Sequence, residues 1–332
     1  SGCILGKPVE GLPRERIQGY LEHVGEWPLT QYFAEADPET VPEALRIHLG
    51  MKDCLRPNIT YAAKDDDTDY SVFGLVHFKQ HGLAMSPSSV GKGWLTYFPY
   101  NSVCTAEHVA YRNLIDTVTP PATALIKNPF REWIGAQIRA DFWGWVAPGK
   151  LQLAADLAFR DAALSHVKNG IYGEMFIAAL LSAAYVTGSV QEAIQLALTE
   201  IPANCRLAEA VRDTVAWAAE SDDWGVTWDK MMAKYGRYHW VHTINNCCIV
   251  LIALLHGGGD FGKTISIAVM GGLDTDCNGA TAGSIMGVLL GASGIPAQWT
   301  EPLHDELRSS VQGYNRNKIS ELAAETLSLL VR

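Results

Sequence analysis

The sequence predicts an all-α fold, a single multi-helix domain of the whole chain, 1–332, and three observations carry that expectation. Apolar residues recur at three-and-four spacing, which lines them along one side of a 3.6-residue helix. The apolar/polar alternation of a half-buried strand is scarce. Gly and Pro punctuate the stripes at SPSSVGKG, TVTPPATA, VAPGK and HGGGDFG, with no long polar linker to divide the chain. Typical helix and loop lengths then give about ten or more helices.

Taken in order, the chain opens on an apolar, Gly-rich segment, GCILGKPVEG, and reaches a first acidic run, KDDDTDY, just before the apolar VFGLVHF. The clearest helical stripes follow: KLQLAADLAFRDAALSHV, EMFIAALLSAAYVTG, VQEAIQLALTEI, RLAEAVRDTVAWAAE and, at the C-terminal end, ISELAAETLSLLVR. A strand-like run, IVLIALL, leads into GGGDFGKT. The chain then passes through GGLDTDCNGATAGSIMGVLLG, where Gly279, Gly283 and Gly287 lie four apart and leave a bare stripe for close backbone packing. The neighbour expected on that stripe is the segment that brings in the other acids.

Composition narrows the function. With 48% hydrophobic residues in 332, there is ample material for a core. The 26 basic against 36 acidic residues give a formal charge of −10, and no basic cluster tracks a phosphate backbone, so nucleic acid is not an expected partner. No segment has the length and apolarity of a membrane span, and the opening residues lack a signal peptide's pattern. Seven cysteines, the adjacent Cys247 and Cys248 among them, show neither a disulfide framework nor CxxC zinc spacing, which points to a reducing, cytoplasmic location.

The chemistry concentrates in two acid clusters. Asp274 and Asp276 lie one residue apart inside apolar sequence, and Lys and Arg are absent from Thr264 to Gly291. A carboxylate buried there must take up a proton or find positive charge. Helix capping would account for one of the two acids better than both, whereas an extended turn directs both to one side, where they can share an ion. Asp65, Asp66, Asp67 and Asp69 pose the same question at a helix mouth, with solvation or complementing the helix dipole as the plainer reading. An EF-hand is excluded, because Tyr70 holds the turn-glycine position and Val76 that of the closing glutamate. Oxygen-rich clusters of this kind suit one or two hard cations, magnesium first, with calcium and manganese as competitors.

Other patterns carry less. Gly257 to Thr264 fits GxxxxGK[ST], but Asp260 would face the phosphates and no βαβ alternation surrounds it, so Asp260 is expected to cap the next helix. His77 and His81 have helical zinc spacing without the HExxH glutamate. His239 and His242 flank Trp240 in an aromatic run that suits packing or a pocket wall, and the tryptophans, notably Trp143, Trp145, Trp224, Trp228 and Trp240, are expected mostly in the core, with a minority free to stack on a base or sugar.

The ordered motifs resemble those of the ADP-ribosylglycohydrolase family, over nearly the whole chain. GCILGKPVE is similar to GDxxGxxxE and puts Glu10 at its glutamate; KDDDTDY resembles (S/T)DDT, with Asp66 and Asp67 as the paired aspartates and Asp65 at the hydroxyl position. GAQIR is similar to part of the GNGAAMR loop, matching Gly135, Ile138 and Arg139, and Ser165–His166 resembles a TH element. LDTDCNGATAG resembles GDTDTNAAIAG. The resemblance implies an all-α metal-dependent glycosidase acting on a small ribosyl substrate or an ADP-ribosylated protein. It implies that Asp65, Asp66, Asp67, Asp274, Asp276 and Cys277 surround magnesium, that Glu10 is a catalytic base or acid or a gate, and that Gly135, Arg139 and His166 bind substrate.

The departures open two alternatives. Cys3 and Cys277 replace an aspartate and a ligating Thr, and a thiol is a poor partner for magnesium; a catalytically silent member that binds a ribosyl ligand or a partner protein would tolerate both. Trp133 and Ile134 stand where a diphosphate-cradling loop has Gly and Asn, which favours a smaller nucleoside or ribosyl metabolite. For Arg139, pairing with a phosphate and forming a structural ion pair are both open.

Overall fold

Helices form wherever the apolar stripes run. In a computed structural model that describes residues 1–331, the described residues form sixteen α-helices joined by short 3-10 turns, and their only strands are two of three residues each. The protein is all-α. The five stripes become the helices Leu151–Ala162, Asn169–Ala184, Val190–Ala197, Arg206–Ala218 and Ile319–Ser328; Arg332, which closes the last stripe, lies outside the described residues. Among these residues, no helix is long and apolar enough to cross a membrane.

The chain folds as two compact units, 1–63 with 210–307, and 64–209 with 308–332. In the first, the helix Thr275–Leu290 packs against Gly2–Gly6, Phe261–Met270 and Thr243–His256. The strand-like IVLIALL lies inside Thr243–His256, and the strand expectation is corrected. Twelve of that helix's residues, Thr243 to Leu254, are buried on every side, and a short apolar run covered all round has no period that separates strand from helix. GGGDFGKT is the turn into Phe261–Met270: Asp260 caps it, accepting from the Lys263 N–H at 2.6 Å, and no phosphate loop forms.

The glycine stripe is met closely at Gly279, by a different neighbour from the one expected, while Gly283 and Gly287 face the side chains of Ile265 and Ile295. A Cβ on Gly2 would lie 1.8 Å from the Gly279 carbonyl oxygen, and one on Gly6 would lie 2.2 Å from that of Thr275. The N-terminal helix therefore meets Thr275–Leu290 backbone to backbone, because Gly2 faces Gly279 and Gly6 presents no side chain to the Thr275 carbonyl. The segment brought to the acids is the one that carries Lys7 and Glu10.

In the second unit the helix Asn169–Ala184 is the axis, flanked by Leu151–Ala162, Ala140–Val146 and Val190–Ala197. Nearly all of it is buried, which matches its lack of a polar face. Asp66–His81 starts at KDDDTDY, capped by Asp65, whose Oδ1 accepts from the Asp67 N–H at 3.2 Å.

Candidate functional site

Two residues with positive φ, Gly272 and Leu273, turn the chain sharply before Thr275–Leu290. The turn is fixed from three directions. The Gly11 N–H donates to the Leu273 carbonyl at 2.9 Å, and the Thr275 hydroxyl donates to the Gly6 carbonyl at 2.8 Å. Asn246 supplies the third support: its Oδ1 accepts from the Asp274 N–H at 3.1 Å and from Asn278 at 2.8 Å, while its amide donates to the carbonyls of Trp240 and His242.

This places Asp274 at the N-cap position, yet its side chain makes no capping bond. Both acids are buried, 3% and 1% exposed, and the Oδ1 of each has no hydrogen-bond partner. Glu10, Asp274 and Asp276 each bring a carboxylate oxygen within 4.8 Å of the others. The positive charge that the neighbouring sequence withholds comes from Lys7, whose Nζ lies 2.7 Å from Asp276 Oδ2 and 2.9 Å from Glu10 Oε2. Burial, and after it the charge of Asp276, push the Asp274 carboxyl well above the usual range. The Cys277 thiol opposes that shift through a hydrogen bond to Asp274. Buried, unpartnered Oδ1 atoms on Asp274 and Asp276, with the half-buried Glu10 carboxylate beside them, fit a hard divalent cation.

The first acidic run belongs to the other unit. Asp65 is the cap just described; Asp66 is half-buried and Asp67 buried in the first turn of Asp66–His81, where acids complement the helix dipole. Asp69 accepts from the Ser310 N–H at 2.9 Å, and burial raises its pKa.

Gly135, Arg139 and His166 come together around three acids the sequence reading did not single out. Arg139 is 2% exposed; its guanidinium reaches Glu107 at 2.6 Å, Asp161 at 2.5 Å and Glu174 at 3.5 Å. This is the ion pair left open above, on a larger scale. The enclosing carboxylates hold the Arg139 proton even more firmly than usual, although burial opposes it. Burial pushes Glu174 well above the ordinary carboxylate range, with Asp161 adding to the shift, and raises Glu107. A Cβ on Gly135 would meet the Glu107 carboxylate, so the glycine makes room for the cluster. His166 is buried beside it, with Nδ1 2.8 Å from Ser165 Oγ, and burial followed by the Arg139 charge drives its pKa well below the ordinary value. Ile134 packs into the interior, and half-buried Trp133 packs at a tilt against Phe130, with ring centroids 4.5 Å apart.

Some of this left traces in the sequence. Asp161 and Glu174 interrupt otherwise apolar stripes, a signal for buried charge that must be paired. Lys7 stands three residues before Glu10, a spacing that brings side chains together on a helical turn. Asn246 had no such signal. Of the tryptophans, Trp143 and Trp228 are buried, and Trp228 donates to the Gly271 carbonyl. Trp145 and Trp224 are half-buried, and Trp240, expected with the core tryptophans, is instead exposed beside Gly11, where an added Cβ would touch its ring at 3.3 Å.

The ADP-ribosylglycohydrolase sequence profile matches residues 1–331. Among solved structures, an ADP-ribosylglycohydrolase-related protein complex is similar in fold, with a TM-score of 0.62 at 18% identity, covering 99% of this chain and 94% of that one. No curated protein matches the sequence.

Proposed function

The chain belongs to the ADP-ribosylglycohydrolase family, and from that premise we propose that it is a metal-dependent glycosidase that hydrolyses an N- or O-glycosidic bond of an ADP-ribosyl or related ribosyl substrate. The observation that carries the reading is the pair of buried, unpartnered oxygens on Asp274 and Asp276, on which the half-buried Glu10 carboxylate converges. These three would hold magnesium or manganese, and the family motif adds Asp66 and Asp67 as ligands. Such an ion, when bound, would hold ribose hydroxyls and lower the pKa of a water.

The side chains have separable tasks. Cleavage builds positive charge on the sugar ring, and the negative field of Asp274 and Asp276 favours that charge. Glu10 is half-buried rather than enclosed, so it can meet solvent and accept the proton of the attacking water. Asn246 holds the Asp274 backbone and so aims its carboxylate. Exposed Trp240, against Gly11, offers a flat apolar face for a sugar or planar leaving group.

A second reading is a smaller riboside without the diphosphate. It is favoured by Arg139, whose guanidinium is enclosed by carboxylates, and by Trp133 and Ile134 in the adjoining loop. Hydrolysis of ADP-ribosyl-arginine, ADP-ribosyl-serine and simple ribosides, measured side by side with magnesium and then manganese, separates the two. A higher kcat/KM for simple ribosides selects the second reading, and efficient ADP-ribosyl cleavage alone selects the first. Metal-dependent binding without turnover of either class would mark a silent member and overturn both.

A further inference from the structure

Lys7 is more than an accidental surface pair. Its backbone is locked to the acid turn, because Gly6 meets Thr275 with no room for a Cβ and Gly6 and Gly11 both hydrogen-bond residues of that turn. From this anchor its ammonium reaches Asp276, whose side chain is 2% exposed, and Glu10 together. The lysine side chain itself is 21% exposed, so it can withdraw into solvent without disturbing the packed backbone.

We propose that Lys7 is a resident counter-ion of this acid cluster that a divalent cation must displace, so that metal entry and withdrawal of the ammonium from Asp276 are one coupled exchange. The inference rests on the metal reading above. The physical ground is that a dication and an ammonium repel each other and compete for the same carboxylate oxygens. Asp276 offers one oxygen to Lys7 and leaves the other without a partner. The lysine thus keeps the acids from facing each other uncompensated when metal is scarce, at the cost of weaker metal affinity when it is plentiful.

Magnesium titration of the full chain by calorimetry tests this, with manganese as a second probe. Lys7→Met and Lys7→Gln are expected to lower the magnesium Kd about tenfold, inside the roughly 5–150-fold range of coupled sites, and Lys7→Arg to stay within about threefold of wild type. Thermal unfolding gives a readout independent of turnover. In chelator both neutral variants should melt below wild type, and saturating magnesium should close the gap, since the metal replaces the missing cation. Equal or weaker magnesium binding by both neutral variants, with wild-type binding intact, overturns the exchange and leaves the metal reading standing. A variant that saturating magnesium fails to rescue also counts against it. Neither heat nor thermal shift in any of the proteins, wild type included, would remove the metal reading and this inference with it.

Discussion

Gly135 lies against Glu107 so closely that a Cβ at 135 would sit 2.3 Å from Glu107 Oε1. That carboxylate cannot move aside freely, because Arg139 holds it at 2.6 Å in a site 2% exposed. Gly135→Ala should therefore cost about 1–3 kcal/mol, the range for overpacking a filled interior. Urea unfolding measures it, and a midpoint equal to wild type would show that Glu107 has space to yield.

Arg139 is the cation within hydrogen-bonding or ion-pair reach of Glu107, Asp161 and Glu174. Arg139→Met should cost about 3–5 kcal/mol, as expected when one partner of a buried ion pair is removed. Glu174→Gln should cost much less, since burial already disfavours the charged form of that carboxyl. The folded-state pKa is raised, so the group's stabilisation is complete below its unfolded value of about 4.5 and declines as pH rises toward the folded one. Glu174→Gln should flatten that part of the stability profile, which urea midpoints across the pH range would show.

Asp274→Asn replaces a carboxyl that burial and Asp276 already drive toward neutrality. In chelator its melting temperature should therefore stay near wild type. With metal at 100 times the wild-type Kd it should lack the stabilisation of about 2.7 kcal/mol that a folded-state ligand provides. Asp67→Asn should lose that metal stabilisation too, on the strength of the family motif. Full metal stabilisation in both variants would argue against either as a ligand.

His77 belongs to the buried interior of Asp66–His81. It stacks on Phe73 at 5.3 Å, its Nε2 lies 3.1 Å from Ser89 Oγ, and burial, helped by His81, lowers its pKa to about 4. A depressed histidine contributes stability that is complete above its unfolded value of 6.5 and lost as pH falls toward 4. The loss is on the order of 3 kcal/mol. His77→Phe should reduce the fall in urea midpoint between pH 7 and pH 4, and an NMR titration of the His77 ring giving an ordinary pKa would refute the account.

Helix content was legible because its signal is local. Three-and-four apolar spacing repeats within a few turns, and each of the five stripes became a helix. The run IVLIALL misled because it lies on a helix buried all round, where no polar face marks the period. The acids of LDTDC could be picked out as well, since two carboxylates in apolar sequence demand compensation wherever they fold.

What the sequence by itself determined, then, was the helical class, the family motifs and the residues with a charge to be answered. The tertiary structure alone decided what answers it. Lys7 reaches Asp276 across 269 residues of chain because Gly2 and Gly6 let their backbone touch that of Thr275–Leu290. Arg139 is drawn inward by Glu107, Asp161 and Glu174 from three different helices. Asn246 becomes a support of Asp274 only once Thr243–His256 lies beside Thr275–Leu290. Charge pairing depends on distance in space, and chain folding sets that distance between residues whose local sequence carries no record of each other.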